Sequence, residues 1–210
     1  MKKRVLNIFL ICFLFISSQK AFSQLEVSLI PKLGYSFSTY KLNYPSIQHL
    51  MRSGPAAGLY FQFRPNDIFL FETGMQVTSK GSIQTAFDTF PRLELITTYA
   101  DFPFLIGIQP SKDFFQLKAG LQFSNIISGH IRSEDTSREN KDLYNSWDVA
   151  AILQVDYDFD FGLNVGVRMA SGITNMRRER IIFPNNAQVD EFRSFNIQIL
   201  TGYTLPIILN

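Results

Sequence analysis

From about Val27 to Leu205, apolar and polar residues alternate with period two, in runs broken by turn-forming residues. The pattern predicts eight strands. In the first, Val27, Leu29, Leu33, Tyr35 and Phe37 share one face, and Ser28, Lys32, Gly34, Ser36 and Ser38 the other. The same sense recurs near 56–64, 69–78, 99–109, 115–124, 148–157, 163–169 and 195–205, with Ile152 as an apolar residue on a polar face. Connections alternate in length. Pro65-Asn66-Asp67, Pro110-Ser111-Lys112-Asp113 and Asp158-Phe159-Asp160 are short, whereas Thr39 to Pro55, Lys80 to Arg92, Gly129 to Ser146 and Asn175 to Arg193 are expected to be long loops.

Such a pattern fits a soluble barrel or a membrane barrel, and the two differ in which face points outward. The apolar face is rich in Phe, of which the chain has 21. The polar face carries Gly34, Gly58, Gly74, Gly107, Gly120, Gly166 and Gly202 with few long side chains. An eight-stranded interior is just wide enough for side chains to fill it, so the small, polar face belongs inside and the aromatic face meets lipid. The expected fold is therefore an all-β, eight-stranded antiparallel up-and-down transmembrane β-barrel with short periplasmic turns and long extracellular loops. Aromatics near the turns, Phe63, Phe69, Phe115, Tyr157, Phe161 and Tyr203 at one rim and Tyr35, Phe37, Phe123 and Phe195 at the other, are candidate girdles.

The N-terminus agrees with export. Met1-Lys2-Lys3-Arg4 precedes an apolar run from Val5 to Ile16 and a small-x-small site, Ala21-Phe22-Ser23. The run is too short to span a bilayer, which takes roughly 20 residues. Residues 1–23 are expected to be a cleaved signal peptide and residues 24–210 the outer-membrane barrel of a Gram-negative bacterium. Cys12, the one cysteine, lies in the run, so the mature chain has no thiol for a disulfide, a zinc site or a nucleophile. Lys2, Lys3, Arg4 and Lys20 leave too, so 20 basic residues become 16 against 18 acidic ones. A basic footprint for nucleic acid is absent, and no cofactor is expected.

Charges facing the lumen are Lys32, Glu72, Asp101, Lys118 and Arg168. Isolated charges in so narrow a space are costly, so Glu72 is expected beside Lys118 and Asp101 beside Arg168, as a structural plug rather than an ion path. His49 and His130 fall in the long loops, with Ser46, Ser53, Ser128 and Ser133 near them in sequence. They leave open a rim-acting enzyme that modifies lipid or peptide, although nothing fixes a triad and a non-enzymatic barrel is expected. Asp156, Asp158 and Asp160 alternate around the last short turn, as turn residues or as a calcium site. Arg177, Arg178 and Arg180 open the fourth long loop, where lipopolysaccharide phosphates would lie. Outer-membrane lipid including lipopolysaccharide, the barrel-assembly machinery during insertion, and an envelope protein docked on the outer loops are the expected partners.

Glu72-Thr73-Gly74-Met75, Ser79-Lys80-Gly81, Tyr99-Ala100-Asp101-Phe102-Pro103-Phe104-Leu105, Ala119-Gly120, Asp148 and Ser171-Gly172-Ile173-Thr174-Asn175 follow one another in an order that resembles the PorT-like outer-membrane β-barrel proteins of Bacteroidetes-type bacteria. That resemblance runs over most of the mature chain. It implies an eight-stranded barrel, no catalytic residues, and a possible link to protein secretion, from which the family takes its name. One departure is at the C-terminus, where Leu205 stands in place of the usual aromatic and Pro206-Ile207-Ile208-Leu209-Asn210 follows.

Overall fold

In lipid no water is available to bond an exposed backbone, so a sheet crosses a membrane only when its two edge strands pair with each other. A computed structural model shows that closure. It describes residues 25–42, 48–85, 93–111, 114–133, 137–139, 144–176, 181–182, 188–189 and 192–207. The expected signal peptide, Ser46 and the Arg177, Arg178 and Arg180 cluster lie outside the described residues. The barrel strands are β1 (Glu26–Leu42), β2 (Gln48–Arg64), β3 (Phe69–Thr85), β4 (Leu93–Ile108), β5 (Gln116–Arg132), β6 (Trp147–Asp158), β7 (Leu163–Gly172) and β8 (Phe192–Tyr203). Each pairs antiparallel with the next, and β8 returns to β1 from Lys32↔Gly202 to Leu42↔Phe192.

The register sets the shape. A belt of paired residues runs Ser28, Gln62, Glu72, Leu105, Gly120, Ile152, Ala170, Asn196 and rejoins β1 at Ser38, ten residues above its start. A stagger of ten over eight strands tilts them by about 40° and lifts the belt about 1.25 residues at each step. All of these residues face the lumen. On the outer face Leu33, Ile106 and Leu153 are more than three-fifths exposed. Apolar groups so displayed are stable only in lipid.

Strand length is where the sequence reading needs correction. Parts of the expected long loops are strand: β1 to β5 run 16 or 17 residues, against 12, 10 and 12 for β6, β7 and β8. A tilted strand crosses the membrane in about 9–11 residues. The β1–β5 wall therefore stands roughly six residues above the outer surface. His49 and His130 lie on β2 and β5, not in loops.

Two irregularities conceal this extension from a period-two reading. The β2–β3 register shifts between Met51 and Ala56, and the Ser38 hydroxyl fills the gap, accepting from the Gly81 N–H at 2.7 Å and donating to the Gly81 carbonyl at 3.1 Å. The β4–β5 register shifts at Thr98/Tyr99, so Ile126 pairs with Tyr99 and Ser128 with Thr98. Ile127 is the extra residue, and beyond it the parity of β5 inverts: Gly129 turns inward and His130 outward.

The short turns after β2 and β6 hold as expected, while Lys112 and Asp113 lie outside the described residues. Asn66 Oδ1 accepts the amides of Ile68 and Phe69 at 3.0 and 2.7 Å, and Gly162, at φ 93°, closes the β6–β7 turn in a conformation other residues rarely adopt. Aromatic rings line this rim in sequence, Phe115 on Tyr157 at 5.2 Å, Tyr157 on Phe159 at 4.9 Å and Phe159 on Phe161 at 5.5 Å. At the other rim Phe102 meets Trp147 at 6.5 Å. After Thr204, Leu205–Ile207 pairs with Val27–Leu29 of β1, so the chain end continues the wall.

Leu153 sits near the middle of the apolar band. Leu153→Arg is expected to destabilise the barrel by about 2–4 kcal/mol in lipid vesicles, measured by reversible denaturant unfolding. A change below 0.5 kcal/mol would place this face away from the hydrocarbon core.

Candidate functional site

The chemistry of this molecule is concentrated in the lumen. Five charged side chains, each with no exposed side-chain surface, converge at mid-height: Lys32 from β1, Glu72 from β3, Lys118 from β5, Asp156 from β6 and Arg168 from β7. Lys32 Nζ lies 3.1 Å from Glu72 Oε1 and 3.3 Å from Asp156 Oδ2. Lys118 Nζ bonds the other Glu72 oxygen and lies 2.5 Å from Asp156 Oδ2. Arg168 Nη2 is 3.7 Å from Glu72 Oε1.

Neutral groups complete the shell. Arg168 Nε donates to Gln154 Oε1 at 2.6 Å, and Nη1 to the Tyr60 hydroxyl at 3.0 Å and to Gln76 Oε1 at 3.3 Å. Gln154 Nε2 donates to Asp156 at 2.6 Å. The Tyr60 ring has Lys32 Nζ 5.0 Å and the Arg168 guanidinium 5.1 Å from its centroid. Three cations face two carboxylates, so the cluster carries one excess positive charge that Tyr60 helps to offset. Charges so deeply desolvated persist because each is hydrogen-bonded as well as paired.

These contacts are struts. Glu72 on β3 and Arg168 on β7 lie four strands apart, on opposite walls of an eight-stranded barrel. A second strut crosses nearer the short turns, where Arg64 of β2 meets Asp158 of β6 at 3.2 Å and Gln62 donates to Gln116 at 3.0 Å. Above the cluster, Asp101 pairs with Lys80 at 2.8 Å, and Asp148 accepts from Thr174 at 2.6 Å and Ser194 at 3.0 Å. Tyr40, Leu95, Tyr99, Ile126, Tyr144, Met176 and Phe192 then form an apolar cap at the outer end.

Measured against the sequence reading, all five predicted lumen charges are buried, and Glu72 meets Lys118 as expected. The pairing of Asp101 with Arg168 is wrong. Asp101 stands about two residues higher once the rise of the belt is counted, and its partner is Lys80, which lies on β3 and not in the loop expected after Thr78. Thr78, Lys80 and Ser82 continue the polar parity of β3, which is the sequence signal for its extension. Asp156 belongs to β6 and not to the turn. It is held by Lys32 and Lys118, and Asp158 by Arg64, so these two carboxylates are engaged by cations rather than grouped around a calcium ion. His49 and His130 stand on β2 and β5, with β3 and β4 between them.

Closed antiparallel strands, an apolar outer band and a charged, filled lumen define an integral outer-membrane barrel. The family model described as "Outer membrane protein beta-barrel domain" matches residues 18–178, and the chain belongs to that family. No curated protein gives a match. Among solved structures, the chain is similar to Ail, the attachment invasion locus protein of Yersinia pestis, in complex with the heparin analogue sucrose octasulfate, with a TM-score of 0.51 and 12% identity over 86% of this chain and 99% of Ail. It is also similar to Neisserial surface protein A, with a TM-score of 0.51 and 9% identity over 84% of this chain and 97% of that one. At such identities the likeness is one of fold. The protein is an integral outer-membrane β-barrel, and its fold is one that Ail and Neisserial surface protein A share.

A double-mutant cycle separates the two assignments for Asp101. Lys80 and Asp101 are expected to couple by about 0.5–3 kcal/mol in unfolding free energy, and Arg168 with Asp101 by less than about 0.5 kcal/mol. Lys118→Met removes one of the two ammonium groups that Glu72 and Asp156 share and leaves them Lys32 with Arg168 and Gln154, so it is expected to cost about 1–3 kcal/mol in unfolding free energy.

Proposed function

We propose that the protein is a non-enzymatic barrel that docks partners through its outer wall and loops while its lumen stays closed. The carrying observation is the five-charge cluster, whose struts join opposite walls and occupy the axis an ion would have to follow. In a planar bilayer the purified barrel is expected to show no stable conductance. A large, persistent conductance from the unmodified protein would overturn the closed lumen.

The raised β1–β5 wall supports docking. On its outer face, beyond the upper aromatics, Arg52 Nε reaches Glu94 at 2.7 Å and Arg132 Nη1 lies 3.9 Å from the same carboxylate. Gly81 leaves room for the Arg52 side chain to cross β3, since a Cβ there would stand 2.8 Å from Arg52 Cδ. Arg132 keeps an exposed guanidinium, suited to phosphate or carboxylate groups of lipopolysaccharide or of an envelope protein. Ail, with which the chain shares its fold, holds a sulfated sugar, a ligand of the same charge. The sequence resemblance to PorT-like barrels makes a secretion assembly the partner to look for. Cross-linking in the native envelope tests this: recovery of secretion components supports the link, and a cross-linked set lacking them removes it.

A further inference from the structure

Between the charge cluster and the apolar cap the lumen changes character. Allowing for the rise of the belts, Ser36 of β1, Ala56 of β2, Thr78 of β3, Ala150 of β6 and Ala170 of β7 stand within about one residue of the same height. Below them are Arg168, Lys32, Lys118 and Tyr60. Above them are Tyr40, Tyr99 and Phe192, so the small residues form a layer between two layers of large ones. Short side chains on five of eight strands do not reach the axis of a barrel that needs full-length side chains to fill it.

The remaining strands supply polar groups at this level, and their free atoms differ by wall. On β4 and β5, Asp101 Oδ2 and Gln122 Oε1 are buried acceptors without a hydrogen-bond partner. Their other atoms are engaged: Asp101 Oδ1 takes Lys80 at 2.8 Å, and Gln122 Nε2 donates to Ser124 at 2.9 Å. On β8, across the barrel, Asn196 Nδ2 and Gln198 Nε2 are buried donors without a partner. Their oxygens accept from Ser36 at 2.8 Å and from Gln76 at 3.1 Å; the Gln76 oxygen takes the donor-only Arg168 at 3.3 Å, so Gln76 turns its NH2 to Gln198 and fixes that amide. All four residues are almost wholly buried. Groups so placed are costly unless something bonds them.

We infer that this layer is a binding chamber for a small polar molecule of zero net charge, one that donates hydrogen bonds toward Asp101 and Gln122 and accepts them from Asn196 and Gln198. A neutral molecule suits the layer itself, where Lys80 and Asp101 neutralise each other. An amide- or urea-sized solute fits the chemistry. The apolar cap bounds the chamber on the outer side, where Asn145 N donates to the Met176 carbonyl at 2.7 Å and Met176 N to the Phe192 carbonyl at 2.9 Å. The charge cluster closes the floor. Binding therefore does not require conduction, and the chamber and the closed lumen fail separately.

The test uses the full barrel in lipid nanodiscs, with side-chain amide resonances of Asn196 and Gln198 followed by NMR as acetamide is added. Saturable shifts of both amides are expected, with acetate at the same concentration giving none. Ala150→Leu with Ala170→Leu fills the layer and is expected to weaken the response at least tenfold; each single variant, with folding checked by heat-dependent gel mobility, serves if the pair does not fold. Contacts from these amides to water alone, with no saturable acetamide shift, would show a hydrated chamber and overturn the proposal. So would an undiminished response in a folded, filled variant.

Discussion

Backbone hydrogen bonding is the constraint on which everything else here depends. A strand in hydrocarbon has nothing to bond but another strand, so the sheet must close, and β8 must find β1. Closure with a stagger of ten residues fixes tilt and radius together, and with them the width of the lumen. Once the radius is set, side-chain volume decides the rest. Glycine at Gly120, where a Cβ would meet the Phe104 carbonyl at 1.9 Å, shows how little room the wall leaves at some points.

That width explains why charge collects in the centre. Each strand contributes an inward residue at every second position, and long cationic side chains can span half the lumen while keeping their heads among carboxylates. Lys32, Lys118 and Arg168 converge on Glu72 and Asp156 from five different strands. Because the partners come from distant parts of the chain, the cluster forms only as the barrel closes. Its energetic role is one of specificity as much as stability, since apolar residues could fill the same volume but would not distinguish one register from the next.

The outer rim obeys a different rule. Above the membrane surface the backbone of β1 to β5 no longer needs lipid, yet it stays paired, and two bulges reorient it. The bulge at Ile127 turns His130 and Arg132 outward on a strand that would otherwise face them inward. A wall with polar groups on its outer side and an apolar cap within is suited to contact with other molecules, while the lumen below is braced.

Period-two alternation is a local property, and so the chain by itself determined the number of strands, the face that meets lipid, the short turns, and the burial of Lys32, Glu72, Asp101, Lys118 and Arg168. It determined the Glu72–Lys118 contact too, because both stand near the same height on strands two apart. Which charges meet across larger distances depends on the stagger, a sum of registers around the whole ring that no single segment carries. Only the closed barrel therefore decided that Asp101 takes Lys80, that Asp156 belongs to the central cluster, and that Arg168 reaches Tyr60 and Glu72. Strand length above the membrane was likewise a tertiary outcome, since bulges break the alternation there and neighbouring strands, rather than side-chain pattern, hold the backbone extended.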